Sequence, residues 1–377
     1  MDYDVIVIGA GSMGMAAGYY LSKSGKKTLL LDLFKPPHNK GSHHGDTRII
    51  RYAYGEGEEY VPLVLKAQEL WNDLEKASGR KIFTQTGVLN VGKEESDFIQ
   101  NTISSAKKYS LPLDILDATK VQNRWPGITL PNDFVGCFEP TSGILKSEEI
   151  IKAYRELAEL NGATIISNSK VTEISVQDDR VTIKTDKETF YSKSLVVSAG
   201  AGSKDLLSMI DLDMPLTPVR KTFAWFNVDE TNYNHSKFPA FGFVTPLGTY
   251  YGFPSIDKMG LKLGRHDGGD QINPDKTMVE FGGITEDIED LTQFLNQYLP
   301  ITQELKYGKT CMYTLTPDDK FIIDLHPKHS NVAIAAGFSG HGFKFSSAVG
   351  QVLSDLIISG KNEIDISHFS IKRFINE

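Results

Sequence analysis

Cys311 lies in the stretch YGKTCMYTLTPDDKFIIDLHP, residues 307–327, and is one of two cysteines in a chain of 377 residues. Three uses are open to such a thiol: a small buried hydrophobe, a nucleophile, or the attachment point of another group. Far upstream, GDTRIIR sets Arg48 and Arg51 three residues apart. On a helix the two guanidinium groups would share a face and could grip an anion; on a solvated surface they would do nothing specific. His43 and His44 stand just before them, but no third or fourth ligand follows at a suitable spacing, so no metal is expected. Lys262, in GLKLG, alternates with two leucines and in a strand would face away from both. Periodicity leaves it free to face solvent or a site.

The elements that could position these residues begin at the N-terminus. YDVIVIGAGSMGMAAGYYLSKSGKKTLLLDLF reads as strand, glycine turn, helix and strand. Val5 to Ile8 form a continuous apolar run, as a strand buried on both faces requires. Gly9, Gly11 and Gly14 make G-x-G-x-x-G at the junction: one for the tight turn, one for approach of a pyrophosphate, one for close helix packing. Asp32 ends the second strand eighteen residues after Gly14, where an acid can accept hydrogen bonds from an adenosine ribose. The pattern predicts a bound dinucleotide. By itself it does not separate FAD from NAD, although its place at residue 9 favours FAD.

Two later segments repeat the strand-to-glycine-turn theme: KSLVVSAGAGSKDLL (193–207) and NVAIAAGFSGHGFKFSSAVGQVLSDLIIS (331–359), the second with a helix beginning near Phe345. Three such strands predict one sheet assembled from distant parts of the chain, with ligands outside its carboxyl ends. Residues 216–275 differ, alternating apolar and polar residues with many aromatics and turns such as Pro246-Leu247-Gly248. They predict antiparallel strands in a second domain that roofs the site.

Composition narrows the function classes. The length suits about two domains of roughly 100–200 residues. A net charge of −8 argues against nucleic acid as the main partner. Two cysteines, Cys137 and Cys311, allow one bridge at most, too few for a secreted disulfide framework. The apolar start lacks a basic leader and is broken by glycines, and no run reaches the roughly 18 apolar residues of a membrane span. A cytoplasmic protein without a membrane segment is expected.

Taken together, PPHNKGSHHGDTRIIRYAYGEGEEYVPL, YYGFP with GLKLGRH, CMYTLTPDDKFIIDLHP and GFSGHGFKFSS closely resemble the group of monomeric sarcosine oxidases and N-methyltryptophan oxidases, essentially end to end. The resemblance implies α/β and α+β architecture: a Rossmann-like FAD-binding domain (1–82, 149–215 and 320–377) and a mainly antiparallel substrate domain (83–148 and 216–319). It implies FAD bound covalently through its 8α-methyl to Cys311, within C-M-Y-T, while Cys137 reads as a buried small hydrophobe. It also implies oxidation of a small N-methyl amino acid by O2, releasing formaldehyde and hydrogen peroxide, by a monomer.

By the same resemblance Arg51 and Lys344 anchor the substrate carboxylate, and Arg48 with His44 gives positive charge beside the flavin. Lys262 lies over the ring and promotes reaction with oxygen, while Tyr251, His266, Tyr313 and His341 shape the pocket wall. Cofactor contacts fall on Gly9, Gly11, Gly14, Asp32, Ser42, His43, His44, Thr47, Arg48, Gly340, Gly342 and Lys344. Gly242 stands where sarcosine-specific members carry methionine, which leaves room for a larger substrate such as N-methyltryptophan. Two rival readings remain: an NAD(P)-dependent dehydrogenase, which leaves the Cys311 segment unexplained, and a non-catalytic flavin-binding module.

Overall fold

The computed structural model describes residues 2–300 and 304–375. Its first strand, Asp2–Ile8, runs parallel to Thr189–Val197 on one side and Thr28–Leu31 on the other, which is why Val5 to Ile8 are apolar without alternation. Thr164–Ile166 extends the parallel set, and Val332–Ala336 joins it along Leu195–Val197. The three glycine returns therefore end strands of one eight-stranded sheet, and their turns gather at its carboxyl edge. The helix Ser12–Lys23 packs tightly on this sheet where Gly14 meets the Gly9 turn and Gly18 meets Leu30. Gly14 is needed there for closeness alone: a Cβ would lie 1.8 Å from the Gly9 carbonyl oxygen. The carboxyl-terminal helix Ser346–Ser359 comes equally near, with Gly350 against Ala16.

A second eight-stranded sheet runs in the order Leu305–Leu315, Thr217–Phe226, Leu261–Arg265, Gly248–Phe253, Ala240–Thr245, Val88–Lys93, Phe134–Glu139, Asp114–Asp117. Its pairs are antiparallel except where Ala240–Thr245 meets Val88–Lys93. The antiparallel reading of residues 216–275 thus holds for the strands, with 246–247 forming the turn of a hairpin.

Register carries the functional information here. Directly paired residues point to the same face of a sheet. The pairs Tyr313–Val219, Cys311–Lys221, Phe223–Gly264, Trp225–Lys262, Gly264–Tyr251, Tyr251–Gly242 and Gly242–Asn90 therefore define a single surface. Four of the sequence-predicted site residues stand on it.

The conformation of the Arg48–Arg51 segment, left open by the sequence, is not helical. Thr47–Ile50 is a strand, paired with Gly143–Lys146 in a three-stranded sheet that also takes Phe83–Gln85. A β-branched run, Thr47, Ile49 and Ile50, favours that outcome. The chain turns directly after Ile50, where the buried carboxylate of Glu139 accepts hydrogen bonds from the backbone N–H groups of Tyr52 (2.9 Å) and Ala53 (3.0 Å). That turn brings Arg51 to the same place as Arg48 without a helix.

Candidate active site

Two cavities abut. The first, about 430 Å³, lies at the carboxyl edge of the parallel sheet and is lined by Gly9, Gly11, Asp32, Ser42, His43, Gly340 and Gly342 among others. The second, about 110 Å³, lies over the face of the antiparallel sheet. It is lined by Arg51, Tyr251, His266, Cys311, His341 and Lys344. Arg48, Tyr313, Gly340 and Phe343 border both. A long ligand in the first cavity would present one end to the second.

The first cavity fits a dinucleotide. The helix Ser12–Lys23 begins at Gly11 with no capping side chain, which leaves its first N–H groups for phosphate oxygens. The Asp32 carboxylate accepts hydrogen bonds from Ala10 N–H (2.7 Å) and Phe34 N–H (2.8 Å), so it is fixed at the cavity wall. The buried hydroxyls of Ser169 and Thr314 line the cavity without a protein partner, which suits a polar ligand. Gly340 adopts φ +80°, and a Cβ there would lie 2.2 Å from the Tyr313 ring, so no side chain intrudes where the cavities meet.

Not every predicted cofactor residue touches this space. Gly14 lies beneath the turn, and Thr47 turns to Lys262, its carbonyl accepting from the ammonium group at 3.2 Å. Lys344 belongs to the second cavity. His44 borders neither. Burial, then the neighbouring Arg48, pushes its pKa down to about 3, and both ring nitrogens lack a partner. It is a neutral ring packed against Phe223. His43 is likewise pushed to about 3 by burial and accepts a hydrogen bond from His38 N–H.

Arg48 stands where the two cavities meet. Its guanidinium donates to the carbonyl oxygens of Thr47 (2.7 Å), Ser42 (2.6 Å) and His44 (2.7 Å), which lock its position. The Ser42 hydroxyl in turn donates to the Met312 carbonyl, tying this loop to the Cys311 strand. Cys311 is 2 % exposed. Burial pushes its thiol up, opposed by Arg48, Lys262, Lys221 and Arg220.

Arg51 lies between the rings of Tyr54 (4.4 Å) and Phe98 (5.3 Å), with Nη2 on the Glu56 carboxylate at 2.5 Å. Its Nη1 is buried and has no partner. Burial alone would raise the Glu56 carboxyl, but Arg51 and then His341 hold it far below the usual range. Lys344 Nζ donates to the His341 carbonyl (2.8 Å) and to the Tyr54 hydroxyl (3.2 Å). The Tyr54 hydroxyl also meets His341 Nδ1 at 2.7 Å, while Nε2 faces the Asp319 carbonyl at 3.3 Å. A carbonyl can only accept, so Nε2 carries a proton, and in the neutral ring Nδ1 then accepts from Tyr54. That requires a neutral His341, consistent with burial pushing it to about 3; burial likewise takes His266 to about 4.

Lys262 is settled by the fold: at 2 % exposed it does not face solvent. It stands on the shared sheet face among Phe223, Phe253 and Trp225, with Nζ 2.6 Å from the Gly45 carbonyl. It is not among the lining residues of either cavity. Sequence reasoning missed Tyr54, Glu56, Glu139 and Asn90. Single acids in polar loops give no periodic signal, and only the tertiary structure shows Glu139 fully enclosed. Among the described residues no group of three or more His, Cys, Asp or Glu side chains could hold a metal, and no helix is long and apolar enough to cross a membrane.

A nucleotide-binding sheet joined to a small, cation-lined pocket under an aromatic sheet defines a dinucleotide-dependent oxidoreductase. Residues 4–356 match the FAD dependent oxidoreductase family. A monomeric sarcosine oxidase from Arthrobacter sp. (strain TE1826) is 55% identical over 375 residues, covering 99% of this chain and 96% of that protein. An N-methyl-L-tryptophan oxidase from Escherichia coli O157:H7 is 44% identical over 376 residues, covering 99% and 100%. NikD, an unusual amino acid oxidase essential for nikkomycin biosynthesis, shares the fold with a TM-score of 0.86 at 24% identity, covering 98% and 97%. The chain belongs to the FAD-dependent oxidoreductase family, within the group of monomeric sarcosine oxidases and N-methyl-L-tryptophan oxidases. Its cofactor is FAD, and it is an amine oxidase acting on CH–NH donors.

Proposed function

We propose that this protein oxidises N-methyl amino acids of the sarcosine type with O2, and that water then hydrolyses the product imine, giving the demethylated amino acid, formaldehyde and hydrogen peroxide. The observation that carries the reading is a pair of buried cations, Arg51 and Lys344, facing a small cavity that abuts the cofactor cavity. When bound, FAD supplies the acceptor for the electron pair of the C–N unit and passes it to O2. Arg51, with Nη1 unpartnered, and Lys344 hold the substrate carboxylate by charge-assisted hydrogen bonds. Nearby positive charge also favours the neutral form of the amine, the form that can be oxidised. Tyr251, Tyr313, His266 and His341 exclude water and add no charge, since burial keeps both rings neutral.

The same reading attaches FAD to Cys311 and divides the chain into FAD-binding segments 1–82, 149–215 and 320–377 and substrate segments 83–148 and 216–319. It makes the protein a monomer, and a cytoplasmic one, a compartment that agrees with two unpaired cysteines. The test is release of peroxide and formaldehyde from a panel of sarcosine, N-methylalanine and N-methyltryptophan. Absence of peroxide with every N-methyl amino acid removes the reading.

Carboxylate binding acquires a pH dependence. Burial, then Arg51, brings Lys344 down to about 7 in the free pocket. A bound carboxylate favours the ammonium form and raises that pKa. Affinity is therefore full below about pH 7 and falls above it, by roughly tenfold per unit until the pKa of the complex is reached. Methoxyacetate, which has no titrating amine, reports this through the flavin spectrum. We expect Lys344→Met to bind more weakly and with a flat profile. A flat wild-type profile from about pH 6 to about pH 9 takes Lys344 out of the carboxylate site.

A further inference from the structure

Asn90 sits within the strand Val88–Lys93, 1 % exposed, on the wall of the second cavity. Its amide Nδ2 is buried and has no hydrogen-bond partner. An apolar residue of the same shape would avoid the penalty of burying that donor unpaired, so the carboxamide calls for a reason beyond packing. Its cross-strand neighbours on the same face are Gly242 and Cys137, and neither satisfies it. Gly242 contributes no side chain: a Cβ there would meet nothing within 4 Å except Asn90 Oδ1 at 3.2 Å. The result is a recess beside an amide, closed by Phe98, Val244 and Tyr251.

The proposed reaction fixes what can enter the recess. The carboxylate is taken by Arg51 and Lys344, and the N-methyl group is the part oxidised. Only the substituent on the α-carbon remains to vary. We propose that Asn90 reads this substituent, and that the preferred substrates are N-methyl amino acids whose side chain carries a hydrogen-bond acceptor into the recess over Gly242. This rests on the N-methyl amino acid reading above and narrows its substrate class. Rotation of the amide about its terminal bond exchanges the two ends, so the NH2 group can face the recess. An acceptor satisfies it; an apolar side chain of equal size leaves it unpaired and is rejected.

N-methyl-L-asparagine and N-methyl-L-leucine are nearly isosteric and make the test. With purified flavoprotein and peroxide as readout, kcat/KM for N-methylasparagine is expected to exceed that for N-methylleucine by roughly tenfold or more. In Asn90→Leu the ratio falls to about one or below, with the change carried mainly in KM. Gly242→Val fills the recess but keeps the amide, and it lowers both substrates together relative to sarcosine. The proposal is overturned if the wild type shows no preference or prefers N-methylleucine, or if Asn90→Leu keeps the ratio. The wild-type ratio needs no variant, so poor folding of Asn90→Leu does not shield it. Peroxide from sarcosine without the asparagine preference defeats this inference alone; no peroxide from any N-methyl amino acid defeats the parent reading with it.

Discussion

After acid denaturation and precipitation, wild-type protein is expected to keep its flavin in the pellet, Cys137→Ser to keep it equally, and Cys311→Ser to release nearly all of it to the supernatant. The two thiols differ in their surroundings more than in their burial. Cys137 is fully enclosed, and burial alone pushes it up to about 12. Cys311 is as deeply buried, but Arg48, Lys262, Lys221 and Arg220 all pull its pKa down against that penalty. Forming a carbon–sulfur bond requires the thiol to lose its proton, and the four cations favour the thiolate that results. Cys311 also lines the cavity, whereas Cys137 lies on the far side of Asn90. The readout is flavin fluorescence of the precipitated polypeptide. A colourless wild-type pellet, with all the flavin in solution, would falsify covalent attachment.

Lys262→Met is expected to slow reaction of the reduced enzyme with oxygen by about 10²–10³ while reduction by sarcosine under anaerobic conditions changes much less. Oxygen must accept negative charge in a water-poor site, and a fixed ammonium group lowers the cost of that charge. Lys262 is rigidly held, with Nζ on the carbonyl oxygens of Gly45 and Thr47 and three aromatic rings around it. Burial, then Arg48, drives its pKa well below the ordinary lysine value. Its charge is present below that lowered pKa and is lost as pH rises through it. The wild-type oxygen reaction should therefore slow with rising pH, and Lys262→Met should remove the dependence along with the rate. Stopped-flow measurement of the two half-reactions separates them. Reoxidation of the variant at the wild-type rate would leave Lys262 as a structural cation only.

The nucleotide half of the molecule was legible because its signals are local. A buried run from Val5 to Ile8, three glycines at fixed spacing and an acid at Asp32 are each set by backbone geometry within one strand-turn-helix unit. The substrate half was legible mainly through its resemblance to a family, since Cys311, Lys262 and Arg51 come from three distant segments. No period links them in the sequence; the register of the second sheet does so for Cys311 and Lys262, and a turn pinned by Glu139 does so for Arg51. The spacing of Arg48 and Arg51 left the local conformation open. Separation by three suits a helix, but the β-branched residues between and beside them are stronger strand formers. The part given to His44 came from the resemblance alone; in this fold its enclosed imidazole, next to fixed positive charge, has its pKa pushed down.

The single surface shared by Cys311, Lys262, Tyr251 and Asn90 limits how this pocket can change over evolutionary time. Because facing alternates at every residue, inserting or deleting one position within Leu305–Leu315 would turn Cys311 away from the cavity and bring Thr310 or Met312 to face it. Such a slip would exchange the chemistry of the whole strand at once. Point substitutions, by contrast, alter one tile of the surface and leave its neighbours in place. Lineages carrying this sheet can therefore retune substrate choice one residue at a time, while length changes are confined to the turns and to loops outside the strands.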